Sequence, residues 1–158
     1  MGVYRLSRNI EASLIDFFTE QFEIDWSEFN IRTVKVFLQA YEGTLPAVCI
    51  EEVTTNPVKK EIGSSAWLKI PEISIRVFAT SDGLRKDLRD YIIDKLEGNI
   101  PYYQYTITDG GVTEKTLAGQ IVVREILRDA KELTNTENLE LADKFRHIII
   151  FSAIIALS

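Results

Sequence analysis

One cysteine and one histidine are all that a chain of 158 residues offers in the way of thiol and imidazole. With Cys49 alone, no intramolecular disulfide can form, and nothing demands an oxidising compartment. Cys49 lies in the apolar run "PAVCI" and reads as a small packed hydrophobe. Without His147 no Ser-His-Asp or Cys-His arrangement can be assembled. Because His147 heads an apolar strand, its reading is structural. Zinc sites want several Cys and His ligands, so they too are disfavoured. Phosphate-binding glycine loops of the G-x-x-x-x-G-K-S/T or G-x-G-x-x-G kind do not occur, and no D-x-D-x-D-G calcium loop is present. Basic residues are also outnumbered, 18 against 24, for a net charge of −6. That balance disfavours a surface that grips nucleic acid, which needs cations to displace counterions. Long hydrophobic runs are missing as well. The longest, "HIIIFSAIIAL", falls far short of the roughly 20 residues of a membrane-spanning helix. The first residues lack the apolar segment of a secretory leader, and Leu6 stands where a myristoylation pattern wants a hydroxyl. A soluble protein made in the cytoplasm is the expectation, with no cofactor.

What is present is an ordinary globular composition, 46% apolar and 27% charged, in one domain spanning residues 1–158. Ile10, Leu14, Phe17 and Phe18 fall close to helical spacing and predict a helix over 6–22. "EIDWSEFNIR" is a connector whose Trp26 and Phe29 cover the core edge or, as the lesser alternative, meet a partner. "RTVKVFLQAY" and "PAVCIEEVTT" are β-rich and joined by "YEGTLP", which predicts an antiparallel hairpin. "TNPVKKEIGSS" reads as a loop. After Pro71, which points to a bulge or an edge, Ile73, Ile75 and Val77 alternate with polar residues as in a half-buried strand.

Then comes "ATSDGLRKD". Ser81 or Asp82 caps the helix that follows, and Asp82 puts a negative charge where an anion would sit. Leu84, Leu88, Ile92 and Leu96 recur every four residues and form the buried stripe. Gly98 and Pro101 end the helix. "YYQYTI" and "GQIVVREIL" read as strands joined by a projecting connection at 108–119. "RDAKELTNTENLELADKFR" is polar, with a helical turn near "NLELADKF". The closing run is apolar at both parities, so it should be a central strand covered from both sides. The fold class is therefore α/β in the α+β sense: a mostly antiparallel or mixed sheet with flanking helices and a central C-terminal strand.

No strong catalytic motif emerges. Glu51 and Glu52, adjacent in a strand, point to opposite faces and cannot share a site. An all-carboxylate cation site, or a carboxylate-dependent hydrolase at the acids near Asp25 and Glu28, stays as a lesser alternative. The helix at 82–97 carries both charge signs on its outer faces. Besides the bland reading of a solvated surface, this suggests a contact between subunits through Arg85, Lys86, Arg89 and Asp90. Arginine suits such contacts because its planar fork bonds carboxylates in pairs.

The stretch "WLKIPEISIRVFATSDGLRKDLRDYIIDKL" resembles the core of bacteriophage tail-terminator and related tail-completion or neck proteins. The layout of helix, hairpin, strand into an Asp/Arg-rich helix, and further strands is similar along the chain. This resemblance implies a non-enzymatic virion protein. It implies a homo-hexameric ring at the head-proximal end of a tail, bound to the tail tube protein and the head connector. DNA would pass through the lumen without specific binding, and no membrane is involved. Polar loops at 54–65 and 108–119, with Lys59, Lys60, Glu61, Thr113, Glu114 and Lys115, are the expected partner-binding segments. A connector stopper or a tail-tube subunit is the alternative within the same class.

Overall fold

A computed structural model describes residues 6–59, 67–107, 113–132 and 141–157. Helix α1 (Leu6–Asp25) is followed by a 3-10 turn (Ser27–Phe29), strand β1 (Arg32–Val34) and a short helix α2 (Phe37–Glu42). Strands β2 (Ala47–Lys59) and β3 (Trp67–Phe78) lead into helix α3 (Asp82–Leu96). The chain continues through β4 (Ile100–Ile107), β5 (Thr113–Lys131), α4 (Leu141–Lys144) and β6 (Arg146–Leu157). Together the strands form one six-stranded sheet in the order β1-β2-β3-β6-β5-β4. Every neighbouring pair is antiparallel except β1 with β2. The fold is thus α+β with a mixed sheet, and β6 occupies the interior position that its apolar sequence predicts.

Alternation sorts the strands into two faces. Val48, Ile50, Ile73, Ile75, Val77, Ile149, Phe151 and Ala153 point to one side. There they pack against Ile10, Leu14, Phe18 and Phe22 of α1 and Leu84, Leu88, Ile92 and Leu96 of α3. Both helices bury the residues that recur every four positions, because 3.6 residues per turn stacks such positions on one face. Among the described residues, the opposite side of the sheet is closed only at one end, where Ala47, Cys49 and Phe78 meet Ala40 of α2 and Ala142 of α4. Ile150 and Ile154 of β6, on that side, remain half-buried. On that side Ile148 and Ser152 are buried, but no described helix packs along Ile150 and Ile154.

Helix α1 also acts as a wedge between two edges of the sheet. A carboxylate oxygen of Glu11 accepts the backbone N–H of Glu52 in β2 at 2.9 Å. Two residues on, Ser13 Oγ accepts the N–H of Tyr103 in β4 at 2.9 Å. Asn9 Oδ1 accepts the N–H of Tyr105 at 3.2 Å. In a flat sheet, β2 and β4 would lie about 19 Å apart, four spacings of about 4.8 Å. Both reach the same turn of a helix about 10 Å across, so the sheet curls around α1. The buried polar pair Asn9 and Ser13 thereby supplies partners to backbone groups of an edge strand that would otherwise lack them.

Several local expectations change. The hairpin expected of 32–55 is a parallel pair, with Thr33 opposite Val48, and the second half of "RTVKVFLQAY" is helical. Phe37, Ala40 and Tyr41 sit three and four apart. Burying Ala40, with Phe37 edge-on to Phe78 at 5.4 Å, outweighs the β-propensity of the preceding Thr and Val residues. Residues 56–59, expected in a loop, belong to β2, with Lys59 opposite Trp67. Pro57 is tolerated there because β1 pairs only with Ala47–Cys49 and leaves that part of β2 as an edge. Pro71 stands just past the β6 ladder, which starts at Glu72 opposite Ser152. The β4–β5 connection is short, since Ile107 pairs with Thr113. Gly119 is required where β5 crosses β6 closely, because a Cβ there would meet the Ala156 carbonyl.

Candidate functional site

The capped turn before α3 is a structural junction. Ser81, in extended conformation, accepts the N–H of Leu84 at 3.1 Å. The Asp82 carboxylate faces Arg85 at 3.0 Å, Lys86 at 3.2 Å and Lys131 at 3.9 Å. Hydrogen bonds from Arg85 and then Lys86 hold that carboxyl below the usual carboxylate range.

From this turn a chain of polar contacts runs into the protein. Arg85 is buried, and its Nη1 lies 2.6 Å from Nδ1 of His147. A guanidinium only donates, so Nδ1 is the acceptor and Nε2 carries the proton. That N–H donates to Asp129 Oδ1 at 2.5 Å. The second oxygen of Asp129 accepts two hydrogen bonds from Arg89, one from Nε at 2.8 Å. Asp129 is held below the usual carboxylate range chiefly by Arg89, against burial and with help from His147. Both nitrogens of the only imidazole are therefore occupied, and His147 locks α3 to β5 and β6.

This arrangement corrects the expected subunit contact. Arg85 points inward and is spent on His147 and Asp82, so it is not an interface residue. Arg89 is shared between Asp129 and Asp90. Lys86 and Asp90 are outward, 65% and 70% exposed at the side chain, and are paired with Asp82 and Arg89. Among the partner-loop candidates, Lys59 and Thr113 lie in strands, and Lys60 and Glu61 fall outside the described residues. Glu114 and Lys115 are exposed in β5, with Lys115 Nζ 4.5 Å from the centre of the Tyr103 ring. They belong to a sheet rather than to a loop. Asp25 accepts the Tyr91 hydroxyl at 2.6 Å, while Glu28 is exposed in the 3-10 turn. Among the described residues no group of three or more His, Cys, Asp or Glu side chains could hold a metal ion.

Two surfaces stand out instead. One is the side of the sheet that no described helix covers, where Val122, Ile150 and Ile154 lie among Glu51, Glu72, Glu125 and Arg128. The other is the outer edge of β5. Strand β4 pairs with β5 only as far as Ile100 opposite Ile121, whereas β6 accompanies β5 to Lys131. From Val122 onward the outer edge of β5 has no strand beside it among the described residues. A groove of about 350 Å³ runs along this edge between Ile93 and Leu96 of α3 and Val123 and Ile126 of β5. The available signal was a mismatch of length, since "IPYYQYTI" cannot pair with all of "TEKTLAGQIVVREILRDAK".

No protein-family model matches this chain, and no curated protein matches its sequence.

Proposed function

We propose that this chain is a structural virion protein. Its copies form a ring, hexameric in number, at the head-proximal end of a phage tail, capping the tail tube and joining it to the head connector. The observation that carries this reading is the side of the sheet left without a helix among the described residues. Half-buried Ile150 and Ile154 and exposed Val122, framed by charged residues, form an apolar centre with a polar rim, the anatomy of a surface that meets another protein. The strand, cap and helix over 67–96, on which the resemblance to tail terminators rests, also support it. So does the net charge of −6, because an acidic lumen repels DNA and lets it slide.

Native mass spectrometry of the full chain, with negative-stain imaging on purified tail tubes, tests the proposal. The expected result is closed multimers and rings seated at one end of each tube. Labelling all along the tube would make it a tube subunit, and labelling at the connector would make it a stopper. A chain that stays monomeric and never associates with tubes or connectors overturns the reading.

A further inference from the structure

The outer edge of β5 carries a pattern that matches itself. Residues 122–127 read Val-Val-Arg-Glu-Ile-Leu. Laid antiparallel against the same segment of a second copy, Val122 faces the partner's Leu127 and Val123 faces the partner's Ile126. Arg124 then faces the partner's Glu125, and the twofold axis repeats each match. We infer that two copies of this chain associate edge to edge through residues 122–127 of β5, continuing one sheet across a twofold axis.

Side-chain parity supports this register. In a regular strand, residues 123 and 126 would point to opposite faces, and an antiparallel pair between them would be impossible. Here the ladder with β6 shifts between Val123 and Glu125, leaving Arg124 as an extra residue. Val123 is opposite Ala153 and Ile126 opposite Phe151, so both lie on the helix-covered face. The bulge thus brings Val123 and Ile126 to one side, beside the groove with Ile93 and Leu96. Bulges generally protect an edge from pairing with arbitrary strands. This one admits a partner with the same irregularity, and the second copy is the strand that has it.

Exposure and charge agree. Val122, Ile126 and Leu127 are 48%, 40% and 44% exposed, a row of large apolar side chains on an unpaired edge. Arg124 and Glu125 are exposed and take part in no ion pair among the described residues. Across the axis they would form two opposite-charge pairs, which fix register and exclude a slipped or unrelated strand. The contact is self-complementary and closes at two copies. It is independent of the ring reading, since a cyclic ring repeats a head-to-tail contact.

Charge exchange tests it on the full chain by native mass spectrometry, with circular dichroism to verify folding. The wild type should give dimers or other even-numbered species. Arg124→Glu places two glutamates opposite two glutamates, and Glu125→Arg does the same with arginines. Each should weaken the dimer about tenfold or more, as like charges directly opposite do. Mixing the two single variants should restore a heterodimer, and the double exchange should restore the homodimer. A wild type without even-numbered species, single variants that dimerise as before, or a mixture that fails to form the heterodimer overturns the proposal. A wild type that is monomeric alone but captured by another protein's strand also overturns it. Absence of rings at tube ends, with the charge-dependent pair intact, would remove the ring reading alone. Rings of odd number, indifferent to these exchanges, would remove the edge pairing alone.

Discussion

Ser13 and Tyr103, ninety residues apart in the chain, bond to each other through both backbone groups of the tyrosine. Ser13 Oγ accepts the Tyr103 N–H at 2.9 Å and lies 3.3 Å from the Tyr103 carbonyl oxygen, to which it donates. Together with Asn9 on the Tyr105 amide, this hydroxyl seals the edge of β4 with a helix instead of a strand. Ser13→Ala leaves a buried amide and carbonyl without partners, so a loss of about 1–3 kcal/mol is expected. Asn9→Ala should cost a similar amount. Hydrogen exchange at Tyr103 and Tyr105 is the sharper measurement. Faster exchange at these two amides, with the β6 amides unchanged, is the expected outcome; unaltered exchange would mean that α1 does not protect the edge.

Leu88 and Ile92 are both fully buried on the inner stripe of α3. Truncating either to alanine removes packed methyl groups and leaves a cavity, at a cost of about 2–5 kcal/mol. Urea denaturation checks this. A neutral result at either position would mean that the helix faces the sheet differently.

Asp129 makes stability depend on acid. In the folded chain its carboxyl is held below the usual range, first by Arg89 and also by His147, so it gives up its proton more readily folded than unfolded. Its stabilising effect is complete above the unfolded value of about 3.9. It is lost as the pH falls through the lower folded value. Urea midpoints measured from pH 7 down to pH 2 should therefore fall on the acid side, and Asp129→Asn should flatten that fall while lowering stability at pH 7. An identical acid limb in the variant would count against the contact.

Cys49 is 1% exposed. Burial, reinforced by the neighbouring Glu51, pushes its thiol well above its ordinary value. Since the thiolate is the reactive form, Ellman's reagent should leave Cys49 untouched in the native protein and titrate it on unfolding. Rapid labelling under native conditions would mean that the small cluster beneath α2 and α4 opens readily.

The parts of this fold that could be read in the sequence are those with an uninterrupted period. The stripe of Leu84, Leu88, Ile92 and Leu96 and the alternation after Pro71 gave α3 and β3. The two-sided apolarity of 147–157 gave an interior β6. Residues 32–42 misled because β-branched Thr33, Val34 and Val36 precede a short helix held by tertiary contacts, among them those of Ala40, Phe37 and Tyr41. Residues 56–59 and 113–118 are polar strands that pair with the next or preceding strand, and their composition lacks the apolar alternation that marks a strand. Arg85 looked like a surface charge because nothing local reveals that His147 waits sixty-two positions later. Asn9 and Ser13 did carry a signal, two hydrogen-bonding residues four apart beside Ile10 and Leu14. Its meaning required knowing that a sheet edge arrives there.

The wedge made by α1 has a consequence in time. At a synthesis rate of roughly 5–20 residues per second, the ninety positions between Ser13 and Tyr103 take roughly 5–20 s to emerge. Throughout that interval the nascent helix has no β4 to engage, and its asparagine and serine remain in contact with water. The earliest of the described helices to be made is thus among the last to be locked. The curl of the sheet is completed only once that late strand returns to it.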